Sequence, residues 1–322
     1  MRYRALGRTG LRVSEIGFGA WGIGGRQWIG GNDDASLAAL RRAFELGVNF
    51  VDTAYAYNDG HSEELIARAV RDTGAKVIVA TKVPPKNGLW PARSGIGIKD
   101  VFPYDYVCDM TGRSLKNLGV DTIDLMQFHV WNPGWTGQEE WRRAMEDTRG
   151  AGKVRFWGVS INDHQPDSAL ELIATGLIDT VQVIYNIFDQ SPEQNLFPFC
   201  REHNIGVLAR VPLDEGALTG TITANTKFDP GEFRGWYFRG DRKQQVVEHV
   251  SPLQRDLEGV AGSLAETALQ FCLSHPSVST VIPGMRRIAT VESSTSVSDR
   301  GPLAAEVLAI LRRHSWPKNF YC

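Results

Sequence analysis

Three observations on the 322-residue sequence predict an α/β barrel. Short apolar runs alternate with segments of helical period roughly eight times, the arrangement that closes a parallel sheet on itself with helices outside. The runs are apolar throughout rather than on alternate residues, as strands covered on both faces should be. The first of them, VNFVDT at 48–53, is followed by AYAY and not by the glycine-rich turn that opens a doubly wound nucleotide-binding sheet, the structural rival.

The elements follow in order. A β-hairpin is predicted at the start, Tyr3 to Leu6 and Leu11 to Gly17, turned through Gly7 and Gly10. Strands are then predicted at 48–53, 77–83 (VIVATKV), 122–129 (TIDLMQFH), 154–160 (VRFWGVS), 180–186 (TVQVIYN), 205–211 (IGVLARV) and 278–284 (VSTVIPG). With 48–53 read as the first barrel strand and 278–284 as the last, the count is one short of a closed barrel. A helix capped by Asp33 and Asp34 carries Leu37, Leu40, Ala43, Phe44 and Leu46 at three- and four-residue spacing until Gly47 stops it. Similar helical segments are predicted at 62–73, 104–118, 138–149, 167–175, 192–203 and 263–274. Two stretches break the rhythm, 84–103 and 212–245, and loops of such length in a compact domain are usually functional. No internal repeat divides the chain, so residues 1–322 are read as one domain.

Composition narrows the function. With 42% hydrophobic and 22% charged residues the chain can bury a sizeable core. Its 35 basic and 37 acidic residues are mixed, giving a net charge of −2, which argues against a nucleic-acid scaffold or a polybasic membrane anchor. No run approaches the ~18 apolar residues of a membrane span, and MRYRALGRTG has no signal core. Cys108, Cys200, Cys272 and Cys322 are scattered, without metal-ligand or disulfide spacing. A cytoplasmic protein without a metal site, acting on a small molecule, is the expectation.

A barrel carries its chemistry at the C-terminal ends of its strands. VNFVDTAYAY places Asp52 and Tyr57 there, VIVATK places Lys82, and TIDLMQFH places His129. A phenol is a poor acid at neutral pH unless a cation stabilises its phenolate, and Lys82 can supply that cation. A buried lysine in turn needs a carboxylate partner to keep its proton, and Asp52 can be that partner. His129 can orient a carbonyl oxygen. This set suits protonation of an oxygen that gains charge as hydride reaches its carbon, but none of the side chains supplies hydride, so a nicotinamide cofactor is implied.

Seven motifs in register, DTAYAY (52–57), TK (81–82), DLMQFH (124–129), GVS (158–160), Gln182, PLDEGALTG (212–220) and IPG (282–284), together with the opening RALGRTGLRVSEIGFGAWGIGG, resemble the aldo-keto reductase superfamily over essentially the whole chain. The resemblance implies an (α/β)8 TIM barrel preceded by a β-hairpin with long loops at the C-terminal face. It further implies NADP(H) bound without a separate nucleotide-binding domain, and reduction of an aldehyde or ketone. It implies Tyr57 as general acid, Lys82 and Asp52 as its tuning pair and His129 as the carbonyl-orienting group. Ser160 and Gln182 match positions that bond the nicotinamide carboxamide, assisted by Asn162. Arg210 stands where many members stack an aromatic on the nicotinamide, a departure that bears on redox tuning.

Along the pyrophosphate the resemblance implies Pro212, Leu213, Gly216 and Leu218; Arg239 is the candidate for a charge that Thr221 lacks. Arg286 matches a position facing an adenosine 2′-phosphate, which its fork suits. Thr290, Ser293 and Ser294 replace the usual adenine-end residues. Ala20, Trp21, Gln27 and Gly284 complete the expected cofactor contacts. Trp21, Trp90 and Trp131, with Tyr57 and His129, are expected to line a substrate pocket for a sizeable apolar or aromatic carbonyl compound. Competing readings are a nicotinamide-binding regulatory subunit with little turnover, a barrel aldolase using Lys82 as Schiff-base nucleophile, and, weakest, a metal hydrolase.

Overall fold

The computed structural model describes residues 1–25 and 27–322. β1 (Tyr3–Ala5) and β2 (Arg12–Ser14) pair antiparallel, Tyr3 opposite Ser14. Then come β3 (Phe18–Gly19), α1 (Asp33–Glu45), β4 (Phe50–Asp52), α2 (His61–Thr73), β5 (Ile78–Val83), α3 (Ile98–Val101), α4 (Tyr104–Leu118), β6 (Ile123–Phe128) and α5 (Glu139–Gly150). They are followed by β7 (Val154–Ser160), α6 (Leu170–Ala174), β8 (Thr180–Ile184), α7 (Leu196–Glu202) and β9 (Gly206–Arg210). The remainder is α8 (Phe233–Tyr237), α9 (Arg242–Asp256), α10 (Leu264–Ser274), β10 (Val278–Val281), α11 (Ile288–Arg300) and α12 (Ala305–Arg312).

β3 to β10 form one eight-stranded sheet in chain order, every neighbouring pair parallel. Its two edges meet. Ile16 and Gly19 bridge to Val281 and Gly284, and the Gly17 and Gly19 N–H groups donate to the Val281 and Pro283 carbonyls at 2.8 and 2.9 Å. The eighth strand is therefore β3, just beyond the stretch read as hairpin, and 48–53 holds the second barrel strand rather than the first. Two residues are too few to register as an apolar run. Gly19 is required there because a Cβ would lie 2.7 Å from both the Ile282 and Pro283 carbonyl oxygens.

Other boundaries shift for local reasons. Asn32, not Asp33 or Asp34, caps α1: its side chain accepts the Ala35 N–H at 2.8 Å, and the two aspartates fall in the first turn, facing the positive helix end. The segments at 167–175 and 192–203 each begin as a tight 3-10 turn, Pro166–Ala169 and Ser191–Glu193, before α6 and α7. The 84–103 loop contains the single turn α3, and the 212–245 stretch contains α8 and the start of α9.

The hairpin sits at the N-terminal end of the barrel, where the Arg8 N–H donates to the Asn204 carbonyl just before β9. Its Leu6 and Val13 pack with inward Phe50, Ala80, Leu125 and Leu208. The outward side chains, such as Val51, Met126, Val159 and Val181, pack against the helices, each contributing roughly 1.5–3 kcal/mol by burial. Among the described residues no helix is long and apolar enough to cross a membrane.

Candidate active site

Strand side chains alternate faces, so each step of two residues moves one level along the barrel interior. Above Phe50, Ala80 and Leu125 the next inward positions are Asp52, Lys82 and Gln127. There the interior turns from apolar to charged. Lys82 is fully buried, and its Nζ donates to Asp52 Oδ2 at 2.7 Å, to the Thr53 carbonyl at 2.7 Å and to the Tyr57 hydroxyl at 3.3 Å. The other Asp52 oxygen accepts from Gln182 Nε2 at 2.6 Å and from Gln127 Nε2 at 3.4 Å. One carboxylate thus compensates the cation while two amides hold the carboxylate.

Burial, the largest single influence, would lower Lys82, but the Asp52 carboxylate and the Tyr57 oxygen together outweigh it and hold the ammonium above its usual range. An ammonium so held is a poor Schiff-base nucleophile, which argues against the aldolase reading. The expectation that Lys82 brings Tyr57 into a lower range is only partly met. Burial, the largest influence, pushes the phenol up, and the Lys82 charge pulls against it. The neutral phenol is a proton donor whose conjugate base has a cation ready 3.3 Å away. His129 is held well below its usual range, first by burial and then by the Lys82 and Arg210 charges, so it is uncharged. Its Nδ1 is buried without a partner among the described residues, and its ring stands edge-on to Tyr57 at 5.9 Å and to Trp90 at 5.6 Å.

Asp52, Tyr57, His129 and Gln182 open into a groove of 580 Å³ across the barrel mouth. Of the expected cofactor residues, Ala20, Trp21, Gln27, Asp52, Ser160, Asn162, Gln182, Arg210, Pro212, Leu213, Gly216, Gly284 and Arg286 line it. Ser160 offers a hydroxyl with no protein partner among the described residues. Asn162 is already committed: its side chain exchanges hydrogen bonds with the Ala92 backbone at 3.0 and 3.1 Å, tying the long loop after β5 to the end of β7. Arg210 donates to Asp163 Oδ1 at 2.7 Å and to the Ile161 carbonyl at 2.9 Å, while its buried Nε has no partner among the described residues.

Other expected residues lie away from the groove wall. Leu218 is wholly buried in the core, turned away by the tight turn of 214–219. Arg239 does not line the groove, because its guanidinium donates to the Trp236 and Cys322 backbone oxygens. The basic residue of that loop that lines it is Arg234, with its charge 5.1 Å from the Trp28 ring; Arg286 lies 5.8 Å from the same ring and donates to the Ile29 carbonyl. Thr290, Ser293 and Ser294 lie on α11 outside the groove, Ser294 being buried. Trp131 is not a pocket residue: the chain turns back after Phe128, and the indole packs between Phe128, Trp135 and Trp141. Trp21, Trp90, Tyr57 and His129 do line the groove, joined by Phe233, whose ring is 4.8 Å from Trp21.

Several site residues escaped sequence reasoning. Gln127, which holds Asp52 beneath the groove, was within reach, since it lies on β6 two residues before His129. Asp163 and Glu215 come from loops, Arg234 from the five-residue α8 and Tyr321 from the distal end of the chain, where no period points inward.

A closed parallel barrel with a lysine-backed phenol and an uncharged histidine at its mouth defines a class of barrel protein equipped to donate a proton to an oxygen. The chain belongs to the aldo/keto reductase family, whose model matches residues 15–315. It is 29% identical to the aldo-keto reductase YhdN of Bacillus subtilis, over 92% of this chain and 89% of that protein. It is 32% identical to a probable voltage-gated potassium channel subunit beta of Oryza sativa, over 94% and 93% of the two chains. Among solved structures it resembles the holo form of aldo-keto reductase AKR11C1 from Bacillus halodurans, with a TM-score of 0.77 and 27% identity over 98% and 96% of the chains. Among the described residues no group of three or more His, Cys, Asp or Glu side chains is arranged to hold a metal ion.

Proposed function

We propose that the chain is an NADP(H)-dependent reductase that converts an aldehyde or ketone to the alcohol. The observation that carries this reading is the hydrogen-bonded series Asp52, Lys82, Tyr57 beside neutral His129. The groove fits a dinucleotide by its own chemistry. Ser160 and Gln182 can meet an amide, Pro212, Leu213 and Gly216 can follow a diphosphate, and the paired cations Arg286 and Arg234 suit a further phosphate. When bound, the nicotinamide would supply the hydride.

The residues of this chain then divide the remaining work. His129 fixes the carbonyl oxygen by donating from its pocket-facing nitrogen. Tyr57 gives its phenolic proton to that oxygen. Lys82 stabilises the phenolate left behind, and Asp52, held by Gln127 and Gln182, keeps Lys82 charged. Trp21, Trp90 and Phe233 supply apolar faces around the reacting centre and support a sizeable aromatic or apolar carbonyl substrate.

The second reading, a nicotinamide-binding regulatory subunit with little turnover, draws on the rice channel-subunit relative. The presence of all four groups in hydrogen-bonding or ring contact favours catalysis. Following NADPH absorbance with a broad carbonyl panel separates the two. Substrate-dependent oxidation, fastest for aromatic aldehydes, is expected. Tight NADPH binding without turnover on any carbonyl would support the regulatory reading, and turnover confined to small hydrophilic aldehydes would overturn the substrate class.

A further inference from the structure

Beyond the tetrad, the groove holds a carboxylate for which the proposed reaction has no use. Glu215 follows β9 in a turn where Asp214, Glu215 and Gly216 take φ values of 48°, 54° and 109° in succession, left-handed backbone that residues with a Cβ rarely adopt. This turn places Glu215 on the groove wall with Leu213 and Gly216, the segment assigned above to a diphosphate.

The charged and titratable groups around it have partners of their own. Arg210 on β9 pairs with Asp163 at 2.7 Å, Lys318 pairs with Asp214 at 2.7 Å, and His164 meets Asp189 at 2.6 Å. The neighbouring phenols are Tyr237, which donates to Asp214 at 3.1 Å, and Tyr321, which donates to Glu215 Oε1 at 2.6 Å. Among the described residues Glu215 makes no ion pair; a neutral phenol is its hydrogen-bond donor. As a carboxylate it would repel an incoming diphosphate, whereas as a carboxylic acid it offers an O–H donor.

We propose that Glu215 is a proton-linked cofactor-binding residue: one solvent proton is taken up on its carboxylate when the dinucleotide binds, and the new O–H donates to a diphosphate oxygen. The proton returns to solvent when the cofactor leaves, so nothing else is consumed. The inference rests on the dinucleotide reading of the groove. Burial, the largest influence, pushes Glu215 up to about 7, so the free protein crosses its titration in the neutral range. A bound polyanion raises it further. Uptake is therefore small where the free carboxyl is already protonated and grows toward one proton above about pH 7, while affinity falls by up to about tenfold per pH unit.

Calorimetric titration of NADP⁺ into the protein, in buffers of different ionisation enthalpy between about pH 7 and about pH 8.5, counts the protons directly. The 2′-phosphate titrates lower, near pH ~6, and is common to every variant. The expected result is uptake rising toward one proton for wild type and near zero for Glu215→Gln, whose Kd stays flat with pH. Tyr321→Phe keeps the carboxyl but removes a donor to its charged form, and should move the onset of uptake to higher pH. Equal uptake in wild type and Glu215→Gln, or none in wild type, overturns the proposal. Should Glu215→Gln fail to fold, the wild-type uptake and its displacement in Tyr321→Phe decide. Failure of folded wild type to bind NADP⁺ at all would instead remove the dinucleotide reading.

Discussion

Lys82 is the side chain on which the site depends most, since a cation with no solvent exposure is tolerated there only through Asp52 and two further oxygens. Lys82→Met would leave Asp52 buried with amide donors alone. A loss of roughly 3–5 kcal/mol is expected in urea unfolding, and a loss below about 1 kcal/mol would contradict the buried-pair account. His129 gives a pH prediction. Its imidazole is held well below the usual range, so its ring signals in NMR should stay those of the neutral form on acidification through pH ~6.5, where the unfolded chain takes up a proton. The sign follows: this residue's contribution to stability is complete above that pH and is lost as pH falls below it. A folded-state titration near 6.5 would contradict the burial argument. The positions of Asp52, Lys82 and His129 were legible because strand ends keep sequence order. The choice between Arg234 and Arg239 was not, because one lies on and the other just beyond α8, a helix of five residues too short to carry a period that tells groove from surface.

At the level of elements, closure of the barrel turns on β3, the shortest strand and the one least visible in sequence. Its identity rests on a missing side chain. Gly19→Ala would press a methyl group against two backbone carbonyls that cannot move independently, at a cost of about 1–3 kcal/mol, read as a lowered thermal midpoint. An unchanged midpoint would mean that the β3–β10 seam is looser than the 2.9 Å Gly19–Pro283 hydrogen bond implies. The longer strands were legible as unbroken apolar runs and most of the helices before β10 from their period, whereas α11 and α12 were not read from the sequence. The proline-led turns before α6 and α7 and the helices inside the long loops were not, since their form is set by tertiary packing rather than propensity.

For the whole molecule, we read residues 1–322 as one domain, and the distal segment bears on that reading. It returns across the barrel: the Trp316 ring stacks on His249 at 3.7 Å, Lys318 reaches buried Asp214, and Tyr321 reaches the groove. Limited proteolysis under native conditions should nick exposed loops such as 221–231 without releasing pieces that unfold independently. Two fragments with separate cooperative transitions would contradict a single domain. The return of the distal segment was invisible in the sequence because contacts across 100 residues, such as Lys318 to Asp214 (|i−j| = 104), leave no local pattern.

The central claim is that Tyr57 is the proton donor to a carbonyl oxygen, and it is tested most directly by the single-turnover rate of carbonyl reduction in Tyr57→Phe, with NADPH affinity measured on the same samples. The account predicts a fall of roughly 10²–10⁴-fold in rate with Kd little changed, because the ring remains and only the donor is lost. Reduction at the wild-type rate would contradict it.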